Sequence, residues 1–355
     1  MKTHRIIHPN CTGRWLAFAL AVMVVFGGAP ISAHAETEKS HFTDVPSSHW
    51  AYSFVERAYR DGAIIGTGGD SAAGTGQFSP DDPMTYGQFL TMLVNAFYPS
   101  ELARTSKEGP WYAPAIRVAV NRGLVTDSQE KMMENAGAPI DRYYAAKVLV
   151  RLMDDRCVVL PDSAQREAAA ASIGDWQTVG KGKDNEQNES QMYYVSSIYA
   201  MGIMSGVDSA GTFWGDASIT RAGAAAVYSK TAEKLKTSQN DPKAFQIEFI
   251  GEWDGVVPAG YQESFEEEFY TVFPRLWARW GNANVSKCVT LQMVPQEELI
   301  TDEGIKALGV TVPAHDAMRQ RFDYHIKFSI EVINSKPWGS GLLAHEMTHA
   351  ATNHY

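Results

Sequence analysis

The sequence predicts an α-helical bundle of three repeats followed by an α+β domain. Three observations carry this prediction. Two helix-length segments share one register, and a third matches its end. After residue 243 the helical periodicity gives way to alternating, strand-like runs. A late apolar segment then carries two histidines four residues apart.

The repeats come first because a missed repeat misassigns the whole fold. Trp50 to Gly62 spans twelve positions, and so does Trp111 to Gly123. The segment from Tyr194 to Gly202 matches the end of the same pattern. Val55, Ile116 and Val195 share one register, and Ala58, Ala119 and Ile198 share another three residues on. That is helical spacing, with the glycine as C-cap. A second helix is expected after each glycine. Gly123 to Arg142 and Gly202 to Arg221 are both 19 residues, and Gly62 to Tyr86 is 24, the excess falling in a Gly/Ser-rich stretch. Thr85, Asp141 and Thr220 are the expected N-caps. Apolar residues then recur at helical spacing, as in Phe89, Met92, Leu93 and Ala96, or Ala145, Val148, Leu149 and Leu152. One helix pair cannot bury its own apolar face, so the three must share a core.

These segments resemble S-layer homology repeats. The first carries Phe42-Thr-Asp44-Val45, His49-Trp50-Ala51, Gly62-Ala-Ile-Ile-Gly66, Phe78-Ser-Pro80 and Met84-Thr85. The third carries Gly202-Ile-Met-Ser-Gly206, Gly211-Thr-Phe213 and Ile219-Thr220-Arg221-Ala222. The resemblance covers about residues 41–235 and implies a pseudo-threefold unit that grips secondary cell-wall polysaccharide, often pyruvylated, at the cell surface. It makes Asp44, Trp50, Trp111, Arg142 and Arg221 the candidate polymer-binding residues. An arginine suits this role because its guanidinium forks onto a carboxylate through two parallel hydrogen bonds. Pairing within the fold is the alternative for both arginines. Core packing is the alternative for both tryptophans, which share helical spacing with core residues. Tyr86 stands where the first repeat should have its arginine, so binding is expected to fall to Arg142 and Arg221.

The second half opens after a polar stretch, 236–243, that reads as a linker. Strands are expected at 245–250, 289–294 and 326–333, with a helix at 261–280 whose stripe is Phe265, Phe269, Phe273 and Leu276. Pro274 is expected to kink that helix. A last helix, opening at Gly339 or Ser340, holds His345-Glu346-Met347-Thr348-His349. Residues four apart lie on one helix face, so both imidazoles can ligate one Zn2+. Glu346 becomes the candidate catalytic base, taking a proton from metal-bound water. The segment resembles an H-E-x-x-H zinc metallopeptidase of zincin type, and faintly a basic secretory protein, through Ile326-Lys-Phe-Ser329 and 342–350. This resemblance implies a hydrolase with a protein or peptide substrate. A third ligand is not evident: Thr352 and Tyr355 stand where a metzincin has Gly and His, His354 falls on the opposite face, and His315 and His325 reach the site only through the fold. The α+β domain is therefore expected to be incomplete, truncated rather than degenerate.

Charge and export complete the expectation. The chain has 355 residues, a net charge of -10 and 45% hydrophobic residues. No dense Lys/Arg run follows the N-terminus, which argues against nucleic acid as a partner. Lys2, Arg5 and Arg14, the 12-residue apolar run 15–26 and Ala33-His34-Ala35 read as a cleavable signal peptide, with an uncleaved anchor as the alternative. No membrane span is expected after its removal. Cys157 and Cys288 are expected as buried thiols, able to pair only if the two halves pack together. The expected order is signal peptide 1–35, repeats 36–100, 101–160 and 161–235, linker 236–244 and zincin-like domain 245–355. A purely structural S-layer or adhesion protein, without catalysis, is the alternative function. A glycan hydrolase lacks a carboxylate pair: the Glu263 to Glu268 cluster reads as one solvated helix face.

Overall fold

The expected N-cap residues organise the first half. In the computed structural model, which describes residues 40–180, 185–253, 255–300, 304–335 and 341–352, Thr85, Asp141 and Thr220 each accept a backbone N–H three residues on, at 3.3, 2.7 and 3.1 Å. The signal segment, Cys11, the start of the last helix at 339–340 and His354 lie outside the described residues. The residues just before the caps form a closed ring. Met84 donates its N–H to Ile219, Ile219 to Ile140, and Ile140 to Met84, at 2.9, 3.0 and 2.9 Å. All three side chains are buried.

The helices of the repeat region are α1 (Tyr52–Arg60), α2 (Tyr86–Phe97), α3 (Pro99–Arg104), α4 (Ala113–Asn121), α5 (Gln129–Asn135), α6 (Arg142–Asp155), α7 (Ser163–Ala170), α8 (Asn185–Ala200) and α9 (Arg221–Ser238). The first helix of each segment packs on the second helix of the one before it: α4 on α2, α8 on α6, and α1 on α9 to close the cycle. Gly62, Gly123 and Gly202 end the first helices with φ of 69°, 66° and 71°. At each, the glycine N–H reaches back three residues and the next N–H reaches back five, the Schellman pattern. Val55, Ile116, Val195, Ala58, Ala119 and Ile198 are all fully buried in one hydrophobic cluster.

The second half is a four-stranded sheet with its helices. The strands are β1 (Gln246–Ile250), β2 (Val285–Val294), β3 (Gly309–Asp316) and β4 (Arg321–Ser329), in the order β1-β2-β4-β3. β1, β2 and β4 run parallel, and β3 runs antiparallel to β4 at the edge. Helices α10 (Tyr261–Trp280), α11 (Ile330–Ser335) and α12 (Gly341–Thr352) complete it. β4 ends at Ser329, and the rest of the expected strand, from Ile330, coils into α11. On α10 the buried stripe is Phe265, Phe269, Phe273 and Trp277, spaced four apart, while Leu276 is only partly buried. α10 continues through Pro274.

The halves are joined by buried polar contacts. The stretch read as a linker begins inside α9, and the N–H groups of Asn240 and Asp241 then donate to the carbonyls of Arg156 and Cys157. The described residues from Ser40 onward form one compact unit. Arg151, on α6, is buried and donates to the carbonyls of Arg319 and Gln320 at the β3–β4 turn. Lys287 on β2 pairs with Asp154 on α6 at 2.7 Å. Cys157 is buried in the second hydrophobic cluster, and both cysteines are free thiols. Burial raises both thiol pKa values, that of Cys288 to about 12.

Candidate functional site

Two regions hold the residues singled out by sequence. The first is a set of grooves between repeats. Arg221 opens α9, yet its guanidinium reaches the first repeat: Nε donates to the carbonyl of Phe78 at 2.7 Å and Nη2 to that of Ile65 at 2.8 Å. Arg142 does the same one repeat on, to Phe213 at 2.7 Å and Ser205 at 2.7 Å. Each guanidinium also lies over the phenylalanine ring, at 4.7 and 4.8 Å. Burial lowers both arginine pKa values from the ordinary value, against the pull of Asp82 and Asp44 on Arg221 and of Asp175 on Arg142. Two of five N–H donors on each are thereby committed.

The loops that these arginines grip are shaped by two aspartates. Asp44 accepts the N–H groups of Phe78 and Ser79, and Asp175 those of Phe213 and Trp214. Ser79 and Trp214 consequently stand at φ of 57° and 50°. Asp44 thus shapes the loop beside Arg221 through two backbone N–H groups. Asp175 is not among the residues singled out above; its place in the third segment, matching that of Asp44 in the first, is the signal that identifies its role.

Beside Arg221 lies a groove of about 460 Å3. It is lined by the Gly62–Thr67 loop, by Gln88 and Asn95 on α2, and by Trp111 from the second repeat. Trp111 is 63% exposed and Trp50 is 62% exposed, so neither is a core residue despite its helical spacing. The matching groove of the second repeat has a volume of about 470 Å3 and differs in chemistry. Tyr86 occupies the arginine position, its pKa pushed up to about 12 by burial, then by Asp141 and Asp127. Lys147 stands where the first groove has Thr91, its pKa lowered to about 8 by burial and by Arg151. Gln320, from the β3–β4 turn, also lines this groove.

The second region is the exposed side of α12. His345 Nε2 and His349 Nε2 are 3.2 Å apart. Two ligands of a tetrahedral Zn2+ with bonds of about 2.05 Å stand about 3.3 Å apart, so the pair fits two corners of such a site. Glu346 is buried against β3, where the Thr311 hydroxyl donates to its Oε2 at 2.6 Å. Nothing in the sequence pointed to Thr311. A Cβ on Gly309 would lie 2.6 Å from the ring of its cross-strand partner Phe328, so the glycine makes room for that ring. His325 instead meets the Thr290 hydroxyl, and His315 packs edge-on to Phe322. Among the described residues no third His, Cys, Asp or Glu joins the pair.

Comparison with known proteins bears on the first region. Residues 41–90 match the S-layer homology domain family. A cell surface protein of Thermoanaerobacter kivui is 33% identical over 72 residues, which is 20% of this chain. The chain covers 9% of that relative's length. Among the described residues no helix is long and apolar enough to cross a membrane. The chain carries an S-layer homology domain at residues 41–90 and is a protein of the cell surface.

Proposed function

We propose that three S-layer homology repeats anchor this protein by binding an anionic secondary cell-wall polysaccharide, with Arg221 and Arg142 as the cationic contacts. The supporting observation is the composite groove at Arg221. One repeat supplies the loop, another the arginine and the third an exposed tryptophan. A guanidinium already oriented by two carbonyls and a ring loses little freedom when it takes a carboxylate. An exposed indole beside it offers an apolar face to a sugar ring. The N–H donors beyond those two bonds suit a carboxylate such as a pyruvyl group. The test is retention of the full chain on purified wall polysaccharide. Arg142→Ala with Arg221→Ala should abolish it; unchanged retention refutes the reading.

The spacing of the two histidines favours a second activity. His345 and His349 would hold Zn2+, which lowers the pKa of a bound water towards about 7. With Oε2 engaged by Thr311, Oε1 would be the atom at which Glu346 takes and returns a proton. β3 is an edge strand, and its outer edge offers backbone groups to an extended peptide beside α12. The C-terminal half thus carries two ligands and the candidate base of a zinc-dependent peptidase site. Cleavage of an unfolded protein by the zinc-loaded chain, lost in Glu346→Gln, is the expected result. Wall retention and sheet assembly without any cleavage would support the structural S-layer reading instead.

A further inference from the structure

We propose that the cleft between the repeat region and the C-terminal sheet binds a small doubly charged oxyanion, with Arg166 and Lys243 as its outer contacts. This site is separate from the wall-polymer grooves and from α12. The cleft has a volume of about 340 Å3. A water takes about 30 Å3, so there is room for a phosphoryl group and a substituent.

Its lining carries five cations: Arg166, Lys243, Lys287, Arg319 and Arg321. Asp154 and Asp162 are the acids that line it. In a chain of net charge -10 this is a local reversal of sign. Asp154 already serves two cations, Lys287 at 2.7 Å and Arg321 at 3.4 Å. Asp162 is engaged as the N-cap of α7, accepting the Gln165 N–H at 2.8 Å. Behind the lining, Asp316 holds Arg319 at 2.6 Å and Asp323 lies 3.4 Å from Arg321. That leaves Arg166 and Lys243, neither of which has a carboxylate partner among the described residues.

The arrangement gathers like charges. The guanidiniums of Arg166 and Arg319 both lie over the Tyr193 ring, at 5.0 and 5.6 Å. Arg166 gives one donor to the Pro161 carbonyl at 2.6 Å, which fixes its direction without neutralising it. Ser163, the first residue of α7, also lines the cleft, so the positive end of that helix adds to the field. Arg319 is offset by Asp316, so the unmatched charge beside this ring is that of Arg166.

The test uses the full chain in a phosphate-free buffer. Thermal unfolding and calorimetry are run with inorganic phosphate, glycerol 1-phosphate and chloride at matched ionic strength, which separates binding from screening. Phosphate or glycerol 1-phosphate should raise the transition temperature above that in chloride. The first result alone identifies a free anion as the ligand; a stronger effect of the second identifies a phosphoryl group on a larger molecule. Lys243→Gln, at an exposed position, and Arg166→Gln together should weaken binding at least tenfold. Identical unfolding in all three salts overturns the proposal, and so does native affinity in the double variant.

Discussion

Lys287→Met should destabilise the protein by about 3 kcal/mol at pH 7. Lys287 is buried, with its ammonium 2.7 Å from Asp154 and 4.2 Å from the centre of the Trp277 ring. Methionine fills similar space but leaves Asp154 one cation short. Removing one partner of a buried pair costs about 3–5 kcal/mol, and Arg321 remains 3.4 Å from Asp154, which sets the lower end. The pH dependence checks the cause. Burial alone would raise the Asp154 pKa, but Lys287 and then Arg321 outweigh it and hold the carboxyl below its ordinary value. A depressed carboxyl stabilises the fold above the unfolded pKa of about 3.9, and that stability is lost as pH falls through the folded pKa. In the variant, burial prevails and the carboxyl pKa rises. The deficit should therefore be full at pH 7 and shrink towards pH 4 as Asp154 protonates. Adding Asp154→Asn should recover part of it at pH 7. Urea denaturation followed by circular dichroism measures each value. A loss below about 1 kcal/mol at pH 7, or a deficit that does not change with pH, refutes the reasoning.

Three further outcomes are expected. Asp175→Ala strands the N–H groups of Phe213 and Trp214, so it should cost about 1–3 kcal/mol in urea and weaken polymer retention through Arg142. His345→Ala and His349→Ala should each lose zinc uptake by metal analysis, while Glu346→Gln should keep it and lose hydrolysis. Gly309→Ala drives a Cβ to 2.6 Å from the Phe328 ring and should cost about 1–3 kcal/mol by thermal unfolding.

Helix existence was legible because it rests on local terms. The caps at Thr85, Asp141 and Thr220, the glycines at 62, 123 and 202 and the buried registers at Val55, Ile116 and Val195 each follow from residues a few positions apart. β3 has no counterpart among the expected strands, and its Pro313 is a residue that ordinarily argues against one. Pro lacks only an N–H, however, and an edge strand can spare that donor. Trp50 and Trp111 were ambiguous because periodicity places a residue on a helix face but does not say what covers that face.

The sequence by itself determined the repeat register, the cap residues and the paired histidines, since each depends on spacing along a single helix or turn. The tertiary structure decided which repeat each arginine serves. Arg221 and Arg142 donate to carbonyls 143 to 156 and 63 to 71 residues away, and no local pattern encodes such a distance. It also decided that the two halves are joined through Asp154, Lys287 and Arg151, because buried charges require partners and here those partners lie on the other half of the chain.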